Sequence, residues 1–152
     1  MDAKDKRILE LLQQDAMLSA AEIADAVGLT TTPCWRRIQK LEEQGYIKKR
    51  VALLDRDKLN VGTTVFVAIR TNQHSDEWLA RFTTALANMS EIVEAHRLSG
   101  DTDYLLRIVV PDIGEYDRVY QQLIRELEFL DVSSSFSMEE LKSTTAIPIK
   151  HA

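Results

Sequence analysis

The sequence predicts an α+β chain: a helix-turn-helix unit at the N-terminus, then a βαββαβ unit of the ferredoxin-like type. Three observations predict it. Before Asn60 apolar residues recur at helical spacing, and after it a period of two appears, broken by two helical stretches. A glycine separates a short capped helix from a basic helix that starts at a proline. At 152 residues and 45% hydrophobic, the chain holds one ordinary domain or two small ones, and the change of period divides it into residues 1–60 and 61–152.

The first fifteen residues place Ile8, Leu11 and Leu12 on one side of an amphipathic helix. Ser19-Ala20-Ala21-Glu22 reads as a capping box, in which the serine oxygen takes the amide three residues on and the glutamate reaches back. The helix it opens turns Ile23, Ala24 and Val27 inward, and Gly28 supplies the left-handed backbone that ends it. Thr30 or Thr31 then caps a third helix with Pro33 in its first turn.

That succession describes a helix-turn-helix, whose last helix enters the major groove of DNA. Cys34, Ile38 and Leu41 follow i, i+4, i+7 and form the inner side, while Arg36, Arg37 and Lys40 are expected to project from the other. Thr31 and Thr32 stand at the positive end of the helix, where hydroxyls and free amides suit a phosphate. Arg36 and Arg37 are the candidates for guanine edges. Cys34 reads as a small buried hydrophobe, and Trp35 is expected to pack against the first helix. Beyond Gly45, Ile47, Val51, Leu53 and Leu54 suggest a strand pair or an extended wing, with Lys48, Lys49 and Arg50 along the flanking phosphates.

In the second half, Val65, Val67 and Ile69 alternate with Phe66, Ala68 and Arg70 as a strand. Asp76-Glu77 open a helix with Trp78 or Leu79, Phe82, Leu86 and Met89 inward. Two strand-like runs, EIVEAHRLSG and DYLLRIVVPD, meet at the turn formers Ser99-Gly100-Asp101-Thr102-Asp103. Tyr116, Val119, Tyr120, Leu123 and Leu127 mark a second helix, and DVSSSFSMEELK a last strand. Two helices cover only one face of such a sheet. The first strand is apolar on both sides, so its free face calls for a partner, the simplest being a second copy; a homodimer would also present two recognition helices.

Charge sharpens the division. Residues 1–60 hold eleven Lys/Arg against ten Asp/Glu, for +1, whereas residues 61–152 hold eight against fourteen, for −6. Within residues 30–50 the balance is six against two, so local positive potential coexists with an acidic whole. No run of eighteen apolar residues and no signal-peptide pattern occurs, which predicts a cytoplasmic protein that does not span a membrane. One cysteine and three scattered histidines offer no metal-ligand spacing, so no metal or cofactor is expected.

TTPCWRRIQKLEEQGYI followed by VALLD, then SGDTDYLLRIVVPD, then SSSFSMEELKSTTAIPI resembles the Lrp/AsnC, or feast/famine, family of transcriptional regulators over essentially Asp2 to Ile149. The resemblance implies a winged helix-turn-helix joined to a ligand-sensing βαββαβ domain, with dimers assembling into octameric rings. It also implies an amino-acid effector bound between dimers near Ser99, Gly100, Asp101, Asp103 and Tyr104, with Ser134 and Ser135 of the last strand close by. Asp101 and Asp103 are acceptors suited to an ammonium, and Gly100 leaves amide donors open to a carboxylate. TTPCW and VALLD are most similar to the branch containing cysteine-responsive regulators, whereas Trp35 and Arg97 stand where many relatives carry an aliphatic residue.

Two other classes compete with an amino-acid-responsive transcription factor. A nucleoid-type protein would organise DNA without sensing any small molecule, its sheet serving assembly alone. An enzyme would need Asp101 and Asp103 as a catalytic pair, but no nucleophile and base accompany them, so no catalysis is expected.

Overall fold

The computed structural model describes residues 1–152 and divides them into two compact units. The boundary falls between Leu53 and Leu54, earlier than the change of period at residue 60 suggested, and residues 141–152 belong with the first unit. The tail is tied in by Gln13, whose side-chain amide accepts from the Ile147 amide at 2.7 Å and donates to its carbonyl at 3.2 Å.

The first unit contains α1 (Ala3–Gln14), α2 (Ala20–Val27) and α3 (Thr31–Glu43). Two of the three begin with reciprocal caps. Ser19 and Glu22 form the expected capping box on α2, and Asp2 and Asp5 form another on α1. Gly28, at φ 64° and ψ 48°, closes α2 in the left-handed region. Ile8, Ile23, Ala24, Cys34, Ile38 and Leu41 make the core, flanked by Leu11, Leu12, Val27 and Ile47.

One local expectation fails in this unit, and of the strand pair or extended wing expected after Gly45 the strand pair is absent. Trp35 does not pack on α1: its side chain is 53% exposed. Cys34 and Ile38, on either side of it in sequence, already fill the inward positions, and the 100° step per residue carries Trp35 off that face. After Ile47 no strand pair forms, and Val51, Leu53 and Leu54 lie exposed. Lys48, Lys49 and Arg50 interrupt any apolar alternation, and no facing strand is available to satisfy their backbone. Residues 55–60 instead form a turn, with the Asp55 carboxylate accepting the amides of Asp57 and Lys58.

The second unit runs β1 (Thr63–Arg70), α4 (Asp76–Ala87), β2 (Ile92–Arg97), β3 (Tyr104–Val110), α5 (Ile113–Glu126) and β4 (Asp131–Phe136). The βαββαβ order gives one antiparallel sheet in the spatial order β2-β3-β1-β4, the ferredoxin-like arrangement. Val65, Val67 and Ile69 of β1 and Leu106, Ile108 and Val110 of β3 pack with Phe82 of α4 and Val119 and Leu123 of α5. Of the two inward candidates at the start of α4, Trp78 is buried and Leu79 is 40% exposed. The last strand stops at Phe136, so Met138 and Leu141 extend beyond it in the open. No helix is long and apolar enough to cross a membrane.

Candidate nucleic-acid interface and effector loop

Three inward residues of α3 fix what its remaining surface can do. With Cys34, Ile38 and Leu41 buried, the helical repeat turns Thr32, Arg36 and Lys40 towards solvent. Thr31 and Thr32 occupy the first turn, both exposed, and no side chain caps that end. The amino end of α3 therefore offers its dipole and hydroxyls outward. Arg36 and Lys40 make no hydrogen bond or ion pair, nor do Lys48 and Lys49 in the segment that follows. Four cations are thus free on one short stretch of chain.

Two arginines expected beside them are occupied. The Arg37 guanidinium donates to Asp2 Oδ2 and Asp5 Oδ1, each at 2.7 Å. Each carboxylate divides its oxygens, one serving the α1 cap and the other the arginine. The Asp5 amide and Arg37 hold the Asp2 carboxyl below its ordinary range, and hydrogen bonds to Asp5 and Asp2 push the Arg37 guanidinium upward. Arg37 thus clips α1 to α3 and does not project. Arg50 likewise folds back, donating to Glu42 Oε1 at 2.8 Å and to the Ala16 carbonyl at 3.3 Å. No period in the sequence marks such contacts, because Asp2, Asp5 and Ala16 lie far along the chain from the arginines they meet. Cys34 is fully buried, and that burial raises its thiol pKa against the opposing pull of Arg37.

The effector candidates divide in the same way. The turn between β2 and β3 closes with the Leu98 amide donating to the Asp103 carbonyl at 2.8 Å, and Gly100 takes a φ of 102°. Ser99, Gly100 and Asp101 lie exposed at this end of the sheet, and Asp101 makes no hydrogen bond or ion pair. Asp103 is already engaged. Its carboxylate accepts from the Thr71 amide at 2.8 Å and its own amide donates to the Ile69 carbonyl at 2.9 Å, so it pins the turn to the end of β1. Thr71 is buried and polar, and nothing in the sequence separates it from a loop threonine.

Tyr104 is a core residue, packed with Phe82 at a centroid distance of 4.9 Å and with Trp78 at 5.7 Å. Ser134 and Ser135 face opposite sides of the sheet, because neighbouring strand residues alternate. Ser134 pairs across from Val67 on the helix-covered side and meets the Tyr116 hydroxyl, while Ser135 pairs across from Phe66 on the free face. Burial raises the pKa of Tyr116, with the Ser134 hydrogen bond opposing. No group of three or more His, Cys, Asp or Glu side chains converges as metal ligands would.

A capped helix-turn-helix with free cations on its third helix, joined to an acidic βαββαβ unit, describes a class of DNA-binding regulators. Family models make the assignment specific: residues 1–48 match the winged helix-turn-helix DNA-binding model, and residues 64–147 match the Lrp/AsnC ligand binding domain. The chain belongs to the Lrp/AsnC family of transcriptional regulators. It is 46% identical over 151 residues to the DNA-binding transcriptional activator DecR of Escherichia coli (strain K12), covering 99% of each chain. It superposes with a TM-score of 0.96 and 55% identity on an AsnC family transcriptional regulator from Agrobacterium tumefaciens, covering 99% of both chains. It is also similar to the transcriptional regulator NMB0573 from Neisseria meningitidis in its L-Met complex, with a TM-score of 0.94, 30% identity, and coverage of 99% of this chain and 98% of that one.

Proposed function

We propose that this regulator reads duplex DNA through Thr32, Arg36 and Lys40 of α3, with Lys48 and Lys49 on the flanking phosphates, and answers to an amino-acid effector held by its second unit. The observation that carries the reading is that Arg36 and Lys40 stand exposed and unpaired on the outward side of a rigid helix. Arg36 provides a planar fork for guanine O6 and N7, while Lys40 is a point charge for phosphate. Thr31 and Thr32 at the uncapped amino end suit a backbone phosphate.

For the effector, the free Asp101 carboxylate suits an ammonium group and the Gly100 region a carboxylate. The L-Met complex of the Neisseria relative supports an amino acid as the ligand class. Ser99, Gly100 and Asp101 lie exposed at one end of the sheet, where another copy could reach them. The free sheet face supports the homodimer. Phe66, Ala68, Leu105 and Val109 lie on it, with Arg107 and Glu94 paired at 2.8 Å between them, an apolar surface centred on one satisfied ion pair. Further assembly to an octamer follows the resemblance.

Footprinting and amino-acid titration test both halves. Arg36→Ala is expected to lose the sequence-specific footprint while keeping the fold. Asp101→Ala is expected to abolish the thermal shift given by the responsive amino acid and to leave basal DNA binding intact. An unchanged footprint refutes the first assignment, and unchanged effector affinity in calorimetry refutes the second. Failure of all twenty amino acids to shift the melting of the native protein would favour the DNA-organising alternative.

A further inference from the structure

We infer that Trp35 is a specificity-determining contact that seats its indole against the C5-methyl group of a thymine in the major groove. The inference rests on the reading that α3 enters that groove. The indole is 53% exposed on the second turn of the helix, although the core of this unit closes without it. It shares a shallow depression with Arg36, Gln39, Lys40, Glu43 and Gln44, so the apolar surface is bordered by both free cations of the helix. That arrangement fits an anionic partner with a small apolar feature.

Three features select duplex DNA and thymine in particular. Of the flanking charges, Lys40 matches a phosphate and Arg36 a guanine edge, while the ring itself is neutral and gains nothing from a phosphate oxygen. Trp35 lies in the amino-terminal half of α3, the half that meets base edges when a recognition helix docks. The methyl of thymine is the apolar group that a base pair presents in the major groove, and contact with it distinguishes A·T from the other pairs.

The test begins by selecting binding sites from a random duplex pool with the full-length protein. Each fixed thymine of the selected site is then replaced singly by deoxyuridine, which removes the methyl and nothing else. Affinities are compared for the native protein and Trp35→Ala. At one thymine per half-site the replacement is expected to weaken the native protein roughly fourfold, the value of one buried methyl. The same replacement leaves Trp35→Ala unchanged, because the partner of the methyl is already gone. Deoxyuridine that is silent at every position, or that harms both proteins equally, overturns the inference; so does a selected site without fixed thymines. A pool from which the native protein enriches nothing overturns instead the parent reading of α3.

Discussion

Gly28→Ala isolates the contribution of a single backbone conformation to the helix-turn-helix. Gly28 sits at φ 64° and ψ 48°, where its amide donates to the Ala24 and Asp25 carbonyls and ends α2. A Cβ added there meets no atom within 4 Å, so the substitution changes no packing. What remains is the intrinsic penalty of an L-residue in the left-handed region, about 1–2 kcal/mol. A stiffer unfolded chain returns about 0.4–1 kcal/mol of it. The net loss is therefore about 1 kcal/mol, which corresponds to roughly fivefold faster exchange of amides that open with the unit. Native-state hydrogen exchange at the buried Ile23 and Ile38 amides reads it in the full chain, without assuming that both units unfold together. Gly28→Asn is expected to lose less, because asparagine tolerates this region better. Unchanged exchange in Gly28→Ala would refute the reasoning, and so would a loss above about 3 kcal/mol, which only a steric collision produces.

Asp5→Asn removes one of the two carboxylates that hold Arg37, and the combination with Asp2→Asn removes both. The double variant is expected to bind DNA more tightly without regard to sequence, and its salt slope is expected to rise by about one as the freed guanidinium reaches a phosphate; an unchanged slope refutes the clip. Acid sensitivity of the first unit follows from Asp2 and Glu22, whose carboxyls are held below their ordinary values of 3.8 and 4.5. A depressed carboxyl contributes stability above its unfolded pKa and loses it as pH falls through the folded one. The Asp2→Asn, Glu22→Gln variant is therefore expected to be less stable than the native chain at neutral pH, with the gap closing below about pH 4; a gap that persists at pH 2 contradicts it. Cys34, fully buried with a raised pKa, is expected to resist a thiol reagent in the native protein and to react on unfolding. Rapid labelling of the folded chain would show the helix-turn-helix core to be open.

The sequence by itself determined the helix-turn-helix, the βαββαβ order and the family. Local rules suffice for these: the serine-glutamate cap, Gly28, Pro33 and the change from helical to strand period each act within a few residues. It also determined which side of α3 is buried, since Cys34, Ile38 and Leu41 follow directly from the helical repeat. Only the tertiary structure decided which charges remain free. Arg36 and Arg37 are adjacent and chemically alike, yet one is unpaired and the other lies between Asp2 and Asp5. Asp101 and Asp103 differ in the same way, because the Thr71 amide reaches only the second. A side chain's availability depends on what distant segments bring within about 3 Å of it, and no spacing along the chain encodes that distance. Ser134 and Ser135 mark the boundary between the two kinds of information. Strand alternation alone assigns them to opposite faces, but only the packing of α5 determines that Ser134 meets Tyr116 while Ser135 is left on the open sheet.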